Sequence, residues 1–362
     1  SDRWQEKWDN LPNIKTSLSD GLLKALDTKP KVEQKVDNTN PEAYEFYLKA
    51  KHKYKKRENT DDTEIARGLL NKAIELDDNL IVAKDLLGNT YQHMGNYDEA
   101  MEIYISALKQ AEDLGDKSGI GNMLNSIGVI KGIKNELDSA LDYFTRSLAI
   151  REELGDKSGM GTSLMNIGLV YANKGDYNKA LDYYGRSLAI CEELGDKSGM
   201  GYSLYNIGNV NARKGDLDTA LDYYERSLAI AEELGDKLVM GYSLNNIGNV
   251  NYYQSNYEKA IEYLEKSLNI QKEIGLGADD LIWGTTYLYL TYKQLGKDYD
   301  INEIYSLIKE TENIGFEVNL RLYELLEESS YLETAYNQVQ EKASAMEKEL
   351  VEKFLSYPIP KQ

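Results

Sequence analysis

The stretch NIGLVYANKGDYNKALDYYGRSLAICEELGDKSGMG, residues 166–201, recurs as NIGNVNARKGDLDTALDYYERSLAIAEELGDKLVMG at residues 206–241. The interval is 40 residues, and copies starting at Ile81, Gly121, Gly161, Gly201 and Gly241 keep the same frame. A fixed period of this size means that one supersecondary unit is stacked on copies of itself. Counting from those starts, position 8 is glycine throughout (Gly88, Gly128, Gly168, Gly208, Gly248), and position 20 is alanine (Ala100, Ala140, Ala180, Ala220, Ala260). Position 7 is Leu87, then Ile127, Ile167, Ile207 and Ile247. Position 24 is large and apolar (Tyr104, Phe144, Tyr184, Tyr224, Leu264), and position 27 is small (Ala107, Ser147, Ser187, Ser227, Ser267).

Both halves of a repeat have helical spacing. Leu164, Ile167, Gly168 and Tyr171 fall at i, i+3, i+4 and i+7, one stripe of a helix. Ala180, Leu181, Tyr184, Ser187 and Leu188 form the matching stripe of the second half. Between them, KGDY (174–177) reads as a turn in which Gly175 takes positive φ. In the LGDK linker, Gly195 suits the end of one helix and Asp196 the N-cap of the next. Small residues at positions 8 and 20 let the two helices approach closely. The unit is a helix–turn–helix.

These positions resemble the tetratricopeptide (TPR) signature: an apolar residue and glycine, a tyrosine three residues on, then alanine, an aromatic and a small residue. Two departures stand out. Position 4 is Leu124, Leu164, Leu204 or Leu244 where the plain repeat has tryptophan, and the closing proline is absent. The longer unit with its ELGDK linker is similar to the repeats of Pins/LGN cell-polarity adaptors and kinesin light chains. The resemblance covers roughly two-thirds of the chain. It implies an all-α, right-handed superhelical solenoid of about seven repeats, with the first helix of each repeat lining a concave groove.

The net charge of −19, from 61 acidic and 42 basic residues, argues against a nucleic-acid backbone as partner. The single cysteine, Cys191, rules out an internal disulfide and fits a reducing, cytoplasmic compartment. No apolar run approaches the roughly 20 residues of a membrane span, so no membrane insertion is expected. The sequence begins at Ser1 with neither methionine nor a signal-like core, and is expected to be cut from something longer.

Three segments follow from the repeat frame. Residues 1–40 stand outside it: Trp4 and Trp8 precede a short amphipathic stretch from Leu11 to Leu26, and Lys29 to Asn40 reads as a linker. This opening either packs as a cap on the first repeat, or resembles the segment joining a TolB-like domain to TPRs in bacterial signalling proteins led by a nucleotide cyclase or kinase. Residues 41–315 are the solenoid. Its first repeat places Ala66, Leu70 and Ala73 at positions 20, 24 and 27, with an irregular turn from Glu58 to Asp62. Its last copy, from Leu281 to Asn313, is degenerate: Leu288 replaces the position-8 glycine, so its helices should pack wider. Residues 316–362 read as two further helices, with Pro358 and Pro360 ending the order. Leu332, Tyr336, Val339, Ala343, Met346 and Leu350 form a 4-3-4-3-4 seam. That seam is either part of a capping segment that seals the last repeat or a homodimer stripe over 331–354.

No active site emerges. His52 and His93 lie in different repeats without a cysteine or carboxylate at ligand spacing, and read as helix-face residues. The GDKSG runs lack the spacing of a phosphate loop. Cys191 shares its repeat position with Arg151 and Ala231, so nothing there demands a thiol. Asp142–Arg146, Asp182–Arg186 and Asp222–Arg226 are i, i+4 pairs that support helices. The expectation is a non-enzymatic protein with neither cofactor nor metal.

Function is therefore sought on the first helices. Position 6 reads Ser126, Asn166, Asn206 and Asn246; position 9 supplies Asn89, Asn209 and Asn249; position 5 adds Asn125 and Asn245. Asparagine is a mediocre helix former, so its recurrence mid-helix needs a reason. A ladder of primary amides can pair with the main chain of an extended segment, since each offers donors and an acceptor without charge. Groove asparagines that hold a partner's backbone are also what the resemblance to kinesin light chain and Pins-type adaptors implies, for Asn166, Asn206 and Asn246. Copied asparagines that only bond neighbouring helices are the structural alternative. Tyr202, Tyr205, Tyr242, Tyr252 and Tyr253 add amphipathic surface, and Arg213 is the main cation of a groove that reads as nearly neutral. The leading reading is a module that binds a peptide or extended protein segment. The others are the sensor half of a bacterial cyclase or kinase, a peptide-pheromone receptor resembling the Rap family, and a dimerising scaffold.

Overall fold

A computed structural model of the protein describes residues 39–57, 60–344, 346 and 348–356. The expectations placed on Trp4, Trp8 and the stretch from Leu11 to Leu26, and on Pro358 and Pro360, lie outside the described residues. So do most of the linker ending at Asn40 and the centre of the turn after the first helix. Among the described residues all regular structure is α-helical. They divide into two compact units, the first ending at Asp156 and the second beginning at Lys157.

The first unit comprises α1 (Pro41–Lys55), α2 (Thr60–Leu76), α3 (Ile81–His93), α4 (Tyr97–Leu114), α5 (Lys117–Ile133) and α6 (Leu137–Leu154). They pack as the pairs α1–α2, α3–α4 and α5–α6, with α2 on α3 and α4 on α5. Asn40 caps α1 by accepting from the Glu42 and Ala43 N–H groups at 3.0 and 3.4 Å. Ala66, Leu70 and Ala73 of α2 are fully buried. His93 lies edge-on to the Tyr54 ring, 6.1 Å between centroids.

The second unit opens with α7 (Lys157–Asn173), α8 (Tyr177–Leu194), α9 (Lys197–Lys214), α10 (Leu217–Leu234), α11 (Lys237–Tyr253) and α12 (Tyr257–Glu273), again as consecutive pairs. The repeated residues now have physical partners. A Cβ on Gly168 would lie 2.8 Å from the Tyr184 ring, and on Gly208 or Gly128 2.7 Å from Tyr224 or Phe144. Position 8 is glycine because the position-24 side chain lies against its Cα. Ser187 Oγ donates to the Gly161 carbonyl and Ser227 Oγ to that of Gly201, both at 2.9 Å, and Ser147 and Ser267 repeat the bond at 2.7 Å. Position 27 is therefore a buried hydroxyl tying the second helix to the start of the first. Gly195 ends α8 at φ +65°, and Asp196 caps α9 by accepting from the Gly199 N–H at 3.0 Å. Asp142–Arg146 and Asp222–Arg226 stand at 3.5 and 3.6 Å, exposed pairs that add little to stability.

The degenerate copy forms α13 (Ala278–Gln294) and the ten-residue α14 (Ile301–Glu310). Leu288 is buried with Ile304 and Leu307 where regular repeats have their glycine. The tail contributes α15 (Phe316–Leu326), α16 (Ser329–Ser344) and α17 (Lys348–Leu355), and it divides. Helix α15 packs on α13 through Val318, Leu322 and Leu325. Helices α16 and α17 turn back instead onto α7, α8 and α9: Val339, Ala343 and Phe354 share a core with Ala172, Tyr177, Ala180, Tyr184, Ile207 and Val210. Of the seam read from the sequence, Val339, Ala343 and Met346 are thus used within the chain, while Leu332 and Tyr336 are exposed.

Candidate binding groove

Three first helices of the second unit stand side by side and present polar and aromatic stripes to one cavity. Helix α9 supplies Tyr205, Asn209 and Arg213 at i, i+4 and i+8. Helix α11 supplies Tyr242, Asn245, Asn246, Asn249 and Tyr253, and α13 supplies Asp279, Asp280, Trp283 and Tyr287. Tyr224 of α10, Gln271 of α12 and Glu317 of α15 complete the polar lining of a cavity of about 310 Å³. That volume is at the lower end of the range for ligand sites.

The amides are tied into the walls. Asn209 Oδ1 accepts from Tyr224 Oη and from Asn246 Nδ2, each at 2.8 Å. In the first unit Tyr104 Oη donates in the same way to Asn89 Oδ1 at 2.7 Å, so the position-9 asparagine is a partner of the position-24 tyrosine. Where position 24 is Leu264, no hydroxyl is available. There the Asn249 amide, assigned the orientation that satisfies both neighbours, accepts from the Trp283 indole N–H and donates to the Asn245 backbone carbonyl at 3.3 Å. Tyr242 Oη donates to Asp280 Oδ1 at 2.7 Å. The Tyr253 and Tyr287 hydroxyls bond each other at 2.5 Å. Two buried acceptors, Asn245 Oδ1 and Gln271 Oε1, have no hydrogen-bond partner among the described residues. Such atoms are costly to bury and call for a partner.

Burial holds the phenols of Tyr205, Tyr242 and Tyr253 above the ordinary tyrosine range, and for Tyr242 the Asp280 carboxylate adds to it. They are neutral donors at physiological pH. Arg213, 39% exposed, stands 3.9 Å from Glu317, its ion-pair partner from the tail.

Of the residues singled out in the sequence, Tyr205, Asn209, Arg213, Tyr242, Asn245, Asn246, Asn249 and Tyr253 line the cavity. Asn125 belongs to the first unit, and Asn166, Asn206 and Tyr202 are half-buried on α7 and α9 outside the lining. Tyr252 is half-buried with Tyr253, Tyr257 and Tyr287, and burial with the nearby Glu324 pushes its phenol up to about 12. The position-6 asparagines therefore contribute one member, Asn246, to the cavity. The groove is also not neutral here: Asp279, Asp280 and Glu317 outnumber Arg213. Sequence reasoning missed these carboxylates, along with Trp283, Tyr287 and Gln271. A signal for two of them was present, because the copies read Ser163, Ser203 and Ser243 before Trp283, and Ile167, Ile207 and Ile247 before Tyr287.

The tetratricopeptide repeat family model matches residues 79–153, 159–233 and 199–273, just over half of the chain. The chain belongs to the tetratricopeptide repeat family. No curated protein matches it in sequence. Among solved structures, a Rap protein complexed with Competence and Sporulation Factor is similar at 16% identity and a TM-score of 0.61, over 96% of this chain and 91% of that one. A Signal Transduction ATPase with Numerous Domains from Pyrococcus horikoshii, with a tetratricopeptide repeat sensor, matches at 19% identity and a TM-score of 0.57 over 80% of this chain. The TPR chain spans 43% of that protein's length. The apo quorum sensor NprR from B. thuringiensis matches at 17% identity and a TM-score of 0.51, over 87% of this chain and 84% of that one. At these identities the likeness is one of TPR fold. Among the described residues no helix is long and apolar enough to cross a membrane, and no group of three or more His, Cys, Asp or Glu side chains is placed to hold a metal ion.

Proposed function

We propose that this TPR protein is a non-enzymatic interaction module, and that the face built by α9, α11 and α13 binds an extended segment of a partner protein or peptide. The observation that carries this reading is the 310 Å³ cavity, walled by aromatic rings and amides from three successive first helices. Rings supply large contact area at small conformational cost, and amides match main-chain donors and acceptors. Asn245 and Gln271, whose amide oxygens lack a donor among the described residues, also line it. Proteins of the same fold support it: one is complexed with Competence and Sporulation Factor, another is a quorum sensor, and a third uses its repeats as a sensor.

The test is a screen of a peptide library against wild type and two variants. Tyr205→Ala/Asn246→Ala alters the cavity, whereas Asn166→Ala/Asn206→Ala removes asparagines outside it. Defined peptides should bind the wild type and the second variant, and fail on the first while its helical circular dichroism is retained. Equal binding by all three proteins would refute the assignment to this face.

A further inference from the structure

We infer that the cavity between α9, α11 and α13 receives a positively charged nitrogen group, the guanidinium or ammonium of a side chain carried by the bound segment. The inference rests on the reading of this face as a peptide groove and specifies the chemistry of one of its subsites.

Charge comes first. The lining holds the carboxylates of Asp279, Asp280 and Glu317 against the single cation Arg213, which pairs with Glu317. Asp280 accepts from the Tyr242 hydroxyl and Asp279 from the Glu312 backbone N–H at 3.1 Å, and neither has an ion-pair partner among the described residues. Both lie in the first turn of α13, whose dipole favours negative charge there. An anionic ligand would meet this excess and be repelled.

The aromatic walls make the second argument. Tyr205 and Tyr242 stand 6.2 Å apart at 35°, and Trp283 and Tyr287 5.9 Å apart at 30°. These rings are neutral, and ring faces attract cations within about 6 Å. The protein already uses this contact at the edge of the site, where the Arg321 guanidinium lies 5.5 Å from the centroid of Tyr253. It uses it more tightly in the first unit, with Arg67 at 3.9 Å over Tyr91.

Third, two residues of the lining carry buried amide oxygens left without a donor. Asn245 is 7% exposed and Gln271 1%, and the oxygen of each lacks a donor among the described residues. A guanidinium offers five N–H donors and an ammonium three, whereas an alkyl or carboxylate group offers none. Negative charge, ring faces and unmet acceptors together describe a receptor for an N–H-rich cation.

The experiment uses the full chain and four labelled pentapeptide pools, randomised with uncharged residues around a fixed centre. Three pools are acetylated and amidated, with arginine, citrulline or norleucine at the centre; the fourth has a norleucine centre and a free amino terminus. Citrulline keeps the shape of arginine without its charge. Binding is read by fluorescence anisotropy on wild type, Asp279→Asn and Asp280→Asn. The Trp283 indole resonance, assigned with Trp283→Phe, is followed separately in titrations with N-acetylarginine amide. The expected result is at least about tenfold tighter binding of the arginine pool than of the citrulline and norleucine pools, a preference that both Asp→Asn variants reduce about fivefold or more without changing the fold. A preference for the free-amine pool alone would overturn the side-chain assignment. Equal binding of all pools, unaltered by the variants, would overturn the cationic subsite and leave the peptide groove standing. A Trp283 resonance that moves with N-acetylarginine amide while no pool binds would support the subsite and remove the groove. If neither responds, both are refuted.

Discussion

Replacing Gly168 by valine puts the repeat's central contact to the test. A Cβ at this position lies 2.8 Å from Tyr184 Cδ1 and Cε1 and 3.2 Å from Cγ, whereas carbon atoms at rest stand about 3.5–4.0 Å apart. The ring must therefore retreat by several tenths of an ångström before the two γ-methyls are accommodated. It has little room to do so: Tyr184 is 1% exposed, and its cluster includes Ile207, Val210 and Phe354. Overpacking of this kind costs about 1–3 kcal/mol. Valine recovers a few tenths of a kcal/mol by being the better helix former, roughly 0.5 at most, which does not offset the clash. The assay is thermal melting of the full chain by circular dichroism, with hydrogen exchange resolved by helix. The variant should melt earlier, and α7 and α8 should lose protection while α1 and α2 keep theirs. Combining Gly168→Ala with Tyr184→Ala should destabilise less than the sum of the single changes, because removing the ring removes the obstacle. A valine variant with wild-type melting and exchange would mean that these helices do not meet through Gly168 and Tyr184.

Asp85 of α3 gives a prediction in pH. Burial pushes its carboxyl up to about 6 from an ordinary 3.8, although Ser126 Oγ donates to it at 3.2 Å. The native protein then holds a proton that the unfolded chain has released, so the stability from this group is full below about pH 4 and is lost as pH rises to about 6. Asp85→Asn should flatten that slope in urea titrations and raise stability at pH 7 by on the order of 1 kcal/mol; an unchanged slope refutes it. Ser187→Ala removes the buried bond to the Gly161 carbonyl and should lower stability by about 0.5–1.5 kcal/mol in the same assay. Phe354→Ala deletes a ring that is 1% exposed and should weaken docking of α16 and α17 by about 3–5 kcal/mol. Hydrogen exchange over those two helices reads it, and unaltered protection there would contradict the packing described.

The regular part of this fold could be read directly because the same contact recurs at the same register. Once Gly168 and Tyr184 are seen as positions 8 and 24, Gly208 with Tyr224 and Gly128 with Phe144 follow. The same logic put Tyr205, Asn209, Arg213, Tyr242, Asn246, Asn249 and Tyr253 on one face, because each lies on a first helix at a known phase. Periodicity could not give the far wall of the cavity. Trp283 and Tyr287 belong to a copy whose signature has decayed, Asp279 and Asp280 stand at the junction just before it, and Glu317 lies beyond it, where no repeat assigns a face. Nor could a 4-3-4-3-4 seam say what Val339 and Ala343 cover. Hydrophobic spacing reports that a face is apolar, and leaves its partner to the tertiary structure.

The return of α16 and α17 onto α7, α8 and α9 changes what kind of polymer the second unit is. A plain repeat array is linear in its energetics, each element depending only on its neighbours, so units can be lost from one end with small effect on the other. Here Phe354 is buried beside Ala180 and Val210, and the chain closes a long loop between its end and its middle. Closing that loop costs chain entropy, which grows slowly with length and is recovered only when the distant contacts form. The second unit should therefore fold with a higher contact order than its helical content suggests. A cut near the C-terminus would also be felt far upstream, as newly bared apolar surface on α8 and α9.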